Sequence, residues 1–159
     1  MHRRLVLLRH AKSDWPDGVP DHLRSLADRG RREGPAAGRW LNEHIEKIDL
    51  VLCSPARRAR ETWALVADEL DPVPDSRVED RLYPGSPTNL IAVLRELPDE
   101  TGTVVLIAHN PGLEDLVAEL AGTECVLKTS SIAVVSGSVG WADLAPGWGQ
   151  LDETVTPRP

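Results

Sequence analysis

An arginine and a histidine stand side by side directly after the first apolar run of the chain, in Leu5-Val6-Leu7-Leu8-Arg9-His10. Four consecutive apolar residues predict a buried strand, so the two polar side chains should emerge at the carboxyl edge of a sheet. A guanidinium is a permanently charged fork that binds phosphate oxygens, and an imidazole nitrogen can attack phosphorus. Arg9 and His10 therefore predict chemistry on a phosphate ester or a phosphoramidate.

Two further polar clusters follow later apolar runs. Ser54-Pro55 comes after a predicted strand over residues 49–53, and His109 comes after one over residues 103–108. Each cluster also opens a predicted helix, whose free N–H groups and dipole favour an anion. In the first of these helices Arg58 lies one turn in, where it can face the sheet edge. Because three strand ends meet at one edge, the clusters should surround a single anion.

Short apolar runs alternate with longer segments of helical periodicity, which is typical of βαβ units. Helices are predicted over residues 29–46, 55–70, 87–97 and 111–120, with Ser54, Ser86 and Asn110 as N-caps before prolines. Residues 71–87 are predicted to be loop, and residues 131–139 and 147–155 to be two antiparallel edge strands. The pattern predicts one domain over residues 1–159, an α/β three-layer αβα sandwich with a mainly parallel central sheet.

Composition limits the classes of partner. The chain has 159 residues and a net charge of -7, which disfavours binding to nucleic acid or to an anionic membrane surface. The first apolar run stops at Leu8, shorter than an export segment, and no run has the roughly 18 apolar residues of a membrane helix. We therefore expect a cytoplasmic protein. Cys53 and Cys125 lack CxxC spacing and are predicted to be reduced and buried.

The three clusters resemble the motifs of the histidine phosphatase superfamily, whose fold is phosphoglycerate mutase-like. The matching residues are Arg9-His10-Ala11 with Ser13 and Trp15, Ser54-Pro55-x-x-Arg58-Ala59-x-x-Thr62, and Ile107-Ala108-His109-Asn110-Pro111. The short chain, with Asp21-x-x-Arg24-Ser25-Leu26-x-x-x-Gly30 and Leu82-Tyr83, is similar to the branch of SixA-like phosphohistidine phosphatases. The resemblance covers the chain from about residue 5 to residue 120.

This resemblance implies a role for each matching residue. His10 would be the nucleophile that is transiently phosphorylated, and Arg9, Arg58 and His109 would hold the phosphoryl oxygens. The family often has a phosphate-binding asparagine after the tryptophan, where this chain has Pro16. That contact is expected to be either absent or replaced by Lys12 or Ser13.

Neither a metal nor another cofactor is expected. The five histidines show no HxH or HExxH spacing, and the chain has no GxxxxGK[ST] loop. The family's proton donor lies in the middle of the chain, where Glu79 and Asp80 are both candidates. We favour Asp80, although both carboxylates could be ordinary loop residues.

The sequence leaves several functions open. The preferred one is a metal-independent phosphatase that acts on phosphohistidine in a partner protein. The alternatives are a phosphatase for small phosphorylated metabolites or nucleotides, and a noncatalytic phosphate-binding module. A mutase is disfavoured because so short a chain has little material to enclose its intermediate. Nothing in the sequence predicts the oligomeric state.

Overall fold

The computed structural model describes residues 2–159, in which six strands and four helices are present. The strands are β1 (Arg3–Arg9), β2 (Leu50–Cys53), β3 (Ser76–Val78), β4 (Thr103–Ala108), β5 (Ile132–Gly137) and β6 (Gln150–Val155). The helices are α1 (Asp28–His44), α2 (Arg57–Ala67), α3 (Pro87–Arg95) and α4 (Gly112–Ala121). None of these helices is long and apolar enough to cross a membrane.

All six strands form one sheet in the order β3-β2-β4-β1-β5-β6. The pairs β3–β2, β2–β4 and β4–β1 are parallel, whereas β1–β5 and β5–β6 are antiparallel. β4 is buried along its whole length, and so are the four apolar residues of β1, as expected for strands covered on both faces. The predicted mainly parallel sheet with an antiparallel edge is confirmed.

The helices cover both faces of the sheet. Leu5 and Leu7 of β1 belong to a core that includes buried residues of α3 and α4. Val6 and Leu8, which alternate with them, belong to a second core with residues of α1 and α2. Because successive side chains of a strand point to opposite faces, this division confirms the predicted three layers.

Four local predictions are wrong. The loop over residues 71–87 contains β3, whose three residues are all exposed, so it has no apolar pattern to reveal it. Ser54 and Asn110 do not cap helices, because α2 begins at Arg57, α4 begins at Gly112, and neither has a side-chain cap. Cys125 is only half-buried, although both cysteines are free and Cys53 is buried. The third cap is confirmed, since the Ser86 hydroxyl accepts from the Asn89 N–H.

Candidate active site

The register between β1 and β4 places two histidines next to each other. Arg9 pairs with Ala108 across the parallel strands, so His10 and His109 both follow at the next position. Their ring centroids are 5.1 Å apart, and both residues are buried. Parallel pairing in this register is therefore the reason that the first and third sequence clusters meet.

His10 is fixed as a neutral ring with one nitrogen available. Its Nδ1 lies 2.8 Å from the carbonyl oxygen of Ala11, a contact that requires Nδ1 to carry the proton. Burial is the main cause that lowers the His10 pKa to about 3; the hydrogen bond to Ala11 raises this pKa, and the nearby His109, Arg58 and Arg9 lower it. The Nε2 lone pair is consequently unprotonated at neutral pH, which is the state that a nucleophile needs.

Arg58 lies beside that available nitrogen. It comes from the first turn of α2, is buried, and its Nε donates to His10 Nε2 at 3.4 Å. Its two terminal nitrogens donate to Asp21, with Nη1 at 2.8 Å from the carbonyl oxygen and Nη2 at 3.0 Å from Oδ2. Asp21 therefore holds the guanidinium in a fixed orientation next to His10.

The Asp21 carboxylate is itself fully engaged. Its Oδ2 also accepts from the Tyr83 hydroxyl at 2.7 Å, and its Oδ1 accepts from Arg24 Nε at 3.0 Å. The Tyr83 hydrogen bond, followed by the bonds from Arg58 and Arg24, outweighs desolvation and lowers the Asp21 pKa to about 2. Asp21 is consequently an ionised anchor at neutral pH, with no proton to donate.

His109 is held by its opposite nitrogen. Its Nε2 lies 2.7 Å from Ser54 Oγ, which also accepts from the Ala56 N–H at 3.2 Å. If the Ser54 hydroxyl donates to Nε2, its hydrogen is satisfied and the His109 proton lies on Nδ1. That Nδ1 is buried and has no partner within residues 2–159. Burial lowers the His109 pKa to about 4, so this ring is also neutral.

Arg9 supplies a second donor without a partner. Its Nη1 donates to the Leu127 carbonyl oxygen at 2.9 Å, whereas its buried Nε has no partner in the described part of the chain. Burial lowers the Arg9 pKa, and the negative charges of Glu114 and Glu33 raise it by less. Buried donors normally find an acceptor. Arg9 Nε and His109 Nδ1 are therefore available to an anion.

These groups line a cavity of about 290 Å³. Its walls are formed by Arg9, His10, Lys12, Ser13, Trp15, Asp21, Arg24, Arg58, His109, Asn110 and Thr129. Arg24 connects two parts of the wall, because its Nη1 donates to Ser13 Oγ at 2.7 Å and its guanidinium lies 3.4 Å from the centre of the Trp15 ring. Both candidates for the missing asparagine contact, Lys12 and Ser13, are thus at the cavity.

The structure does not bring either candidate for the proton donor, Asp80 or Glu79, to this cavity. Asp80 is exposed in a short 3-10 helix (Asp80–Leu82) and is not among the lining residues. Glu79 forms hydrogen bonds with Arg81, which also binds Glu96. The sequence analysis gave Asp21, Arg24, Ser54 and Tyr83 no role in the site, although each stands in one of the matching motifs. The spacing of Asp21 and Arg24 was the one available sign that they could pair.

The segment after His10 is held by the start of α1. The Lys12 N–H donates to Glu33 Oε1 at 2.9 Å, and the Lys12 carbonyl accepts from the Ala27 N–H at 2.9 Å. Gly30 packs directly against that carbonyl, and a Cβ at this position would overlap it. The close approach therefore requires glycine.

The cavity is suited to a tetrahedral anion in front of an imidazole nitrogen. Arginine and imidazole donors surround the space, and the ionised Asp21 is neutralised by Arg58 and Arg24. Within residues 2–159, no three His, Cys, Asp or Glu side chains are grouped so that they could hold a metal ion. The arrangement can bind a phosphoryl group and attack it from His10.

Comparisons with known proteins agree with this chemistry. Residues 5–83 match the Histidine phosphatase superfamily (branch 1). The chain is 32% identical to phosphohistidine phosphatase SixA of Escherichia coli (strain K12) over 137 residues, which is 84% of each protein. It is similar in structure to a putative SixA from Nakamurella multipartitia (TM-score 0.87, 32% identity, 99% and 97% of the two chains). It is also similar to a protein histidine phosphatase SixA complexed with tungstate (TM-score 0.83, 30% identity, 97% of each chain).

Proposed function

This chain belongs to the histidine phosphatase superfamily and is a phosphatase, and from that premise we propose that it removes phosphoryl groups from phosphohistidine in a partner protein. The reaction passes through a covalent intermediate on His10 and uses no metal. The observation that carries the choice of substrate is the engagement of Asp21, the one carboxylate among the described residues that line the cavity, whose oxygens accept from Arg58, Arg24 and Tyr83.

In the first step the His10 Nε2 lone pair attacks phosphorus and the bond from phosphorus to the substrate's leaving nitrogen breaks. The hydrogen bond from Nδ1 to the Ala11 carbonyl keeps the ring oriented and stabilises the positive charge that the ring acquires. Arg9, Arg58 and His109 donate to the phosphoryl oxygens, which carry most of the negative charge in the transition state.

In the second step a water molecule attacks the phosphorus of phospho-His10. The bond between Nε2 and phosphorus breaks, inorganic phosphate leaves, and the neutral His10 ring is restored. The same donors serve both steps because the phosphoryl group remains between them. The resemblance to a SixA structure complexed with tungstate, a tetrahedral oxyanion, supports an anion site of this kind.

The leaving group decides which substrate this site suits. An alkoxide leaving group needs a proton from a neighbouring acid, but Asp21 has a pKa of about 2 and is bound by Arg58 and Tyr83. The imidazole of a phosphohistidine can instead be protonated on its distal nitrogen by solvent. A cavity without a protonated carboxyl group therefore favours a phosphoramidate over an alkyl phosphate.

The test compares three substrates that differ in their leaving group. We expect similar kcat/KM values for a phosphohistidine peptide and p-nitrophenyl phosphate, whose leaving group needs no acid, and a value lower by about 10²-fold or more for glycerol 2-phosphate. Equal rates on the alkyl phosphate would instead favour a metabolite phosphatase. Phosphate binding without turnover of any substrate would identify a noncatalytic module.

Metal independence is tested in the same assay. EDTA should leave kcat/KM unchanged, because the proposed steps use only the His10 ring and the arginine and histidine donors. Inhibition by EDTA that a divalent ion reverses would contradict the proposal. Asp80→Asn should also retain full activity, since Asp80 is exposed outside the cavity. A large loss in this variant would instead identify Asp80 as the proton donor.

A further inference from the structure

A second cavity with a strongly basic wall lies next to the phosphate site. Its volume is about 420 Å³, and it is lined by Arg29, Arg32, Glu33, Lys128, Arg158 and Pro159. We call the four cations of this wall, Arg29, Arg32, Lys128 and Arg158, the basic rim. They come from α1, from the segment before β5 and from the segment after β6.

The basic rim adjoins the phosphate site at Thr129. This residue lines the cavity of the phosphate site, and its hydroxyl lies 3.4 Å from Arg29 Nη2 and 3.3 Å from Glu33 Oε2. Lys128, its neighbour in the chain, belongs to the rim. A partner that places a phosphoryl group at His10 would thus have surface next to the rim.

Most of the positive charge of the basic rim is not balanced by acidic side chains of the described residues. Arg29 and Arg158 share the buried Glu33, at 3.0 Å and 3.4 Å. Arg32 and Lys128 are exposed, and neither forms an ion pair within residues 2–159. Four cationic side chains around one acidic side chain stand out on a chain whose net charge is -7. Such a local reversal of sign attracts an acidic partner and orients its approach.

We propose that the basic rim is the docking surface for an acidic face of the protein that carries the phosphohistidine. This inference rests on the proposed function, because it requires a protein substrate. The rim lies outside the cavity that holds the phosphoryl group, and its cations come from three separate chain segments. A surface of this breadth fits acidic side chains that flank the phosphohistidine.

The probes are two synthetic phosphohistidine peptides of equal length, one with glutamates and the other with lysines on both sides of the phosphohistidine. We expect the wild type to prefer the glutamate peptide by about 10-fold in kcat/KM at low ionic strength. The preference should arise in KM and should disappear when NaCl is raised to about 0.5 M. A preference for the lysine peptide, which the net charge of -7 alone would produce, would overturn the proposal.

A matched pair of double variants locates the effect. Arg32→Glu/Lys128→Glu should abolish or reverse the preference for the glutamate peptide. Lys47→Glu/Arg77→Glu makes the same change in net charge at two exposed positions that line neither cavity, and it should leave the preference intact. Both variants should turn over p-nitrophenyl phosphate at the wild-type rate. Equal peptide preferences in the two double variants would show that the rim has no docking role.

Binding of fluorescein-labelled forms of the same peptides, measured by fluorescence anisotropy, tests the rim separately from turnover. If neither peptide is dephosphorylated but the glutamate peptide binds with an affinity that depends on Arg32 and Lys128, the proposed substrate is wrong and the docking role falls with it, although the rim binds acidic chains. If both peptides are dephosphorylated without dependence on charge, the proposed substrate is supported and the docking proposal is wrong. Competitive inhibition by pyrophosphate that depends on the rim, without any peptide preference, would assign the rim to small anions instead.

Discussion

The carboxyl ends of β1 and β4 present the same residue type to the same cavity, but the two histidines are held by opposite ring nitrogens. His10 is fixed through Nδ1 by the Ala11 carbonyl, which leaves Nε2 as a lone pair beside Arg58. His109 is fixed through Nε2 by Ser54, which leaves Nδ1 without a partner among residues 2–159. One ring thus presents an acceptor that can attack, and the other presents a donor that can bind an oxygen.

This difference shows that the partner of a histidine decides its chemistry more than its burial does. Burial is the main cause of a lowered pKa for both rings, which keeps both neutral. A backbone carbonyl can only accept, so it fixes the His10 tautomer without ambiguity. A hydroxyl can donate or accept, so the role of His109 depends on the further contact of Ser54 with the Ala56 N–H.

The largest effect is expected for His10→Ala. Without the nucleophile, kcat for p-nitrophenyl phosphate should fall by about 10⁴-fold or more, while binding of inorganic phosphate, measured by calorimetry, should largely survive. Alkaline quenching of the wild type during turnover should trap a phosphoryl group on His10, detected by mass spectrometry. His44→Ala, which changes an exposed ring stacked on Trp40, is the control and should be fully active. Wild-type turnover by His10→Ala would exclude the covalent route.

A smaller effect is expected for His109→Ala. This variant removes one donor to the phosphoryl oxygens and keeps the nucleophile, so kcat should fall by about 10²- to 10³-fold. The phospho-His10 intermediate should still form, only more slowly, in a single-turnover experiment. If the loss matched that of His10→Ala and no intermediate formed, the two rings would not have the different roles assigned to them.

The next variant tests Asp21, which anchors Arg58 beside His10. Asp21→Asn weakens the contacts that orient Arg58, and we expect kcat/KM to fall by about 10-fold. The loss should be much smaller in an Arg58→Ala background, because Asp21 acts through Arg58. Independent, multiplicative losses in the double variant would show that Asp21 contributes in some other way.

The corresponding anchor on the His109 side should matter less. Ser54→Ala removes the hydroxyl that fixes the His109 tautomer, but the neutral ring can still place its proton on Nδ1 part of the time. We expect a loss of about 3- to 10-fold in kcat/KM. The variant should have no further effect in a His109→Ala background, and an additional loss there would contradict the link between Ser54 and His109.

The smallest change is expected on lowering the pH, because neither His10 nor His109 should titrate near neutral pH. With pKa values of about 3 and 4, the ring signals of His10 and His109 in NMR spectra should not shift between pH 8 and about pH 5. Unfolding releases both rings to a pKa near 6.5, so the unfolded chain binds more protons below that pH. The free energy of unfolding measured in urea should therefore fall as the pH is lowered from 6.5 towards 5. Asp21 adds nothing in that range, because its carboxylate stays ionised there in both the folded and the unfolded chain. Titration of either ring near pH 6.5 would contradict its buried, neutral state.

The sequence predicted the layers of the fold and the meeting of His10, Arg58 and His109, because apolar runs and parallel topology determine both. It could not place the carboxylates. Asp21 and Asp80 both stand in loop-like sequence, and only the three-dimensional path of residues 15–23 brings one of them under Arg58. The predicted cap at Ser54 failed for a related reason, since its hydroxyl lies 2.7 Å from Nε2 of His109, which is 55 positions away. Short-range rules do not describe such long-range competition.

Gly30 ties α1 to the nucleophile, together with Glu33, because both contact the backbone of Lys12. Because the helix backbone rests on the Lys12 carbonyl, two residues from His10, a displacement of α1 would also displace the ring that attacks phosphorus. The reactive geometry is consequently a property of the packed interior rather than of a separable loop. Loss of catalysis on heating should coincide with loss of the helix layer, with no inactive but folded state in between.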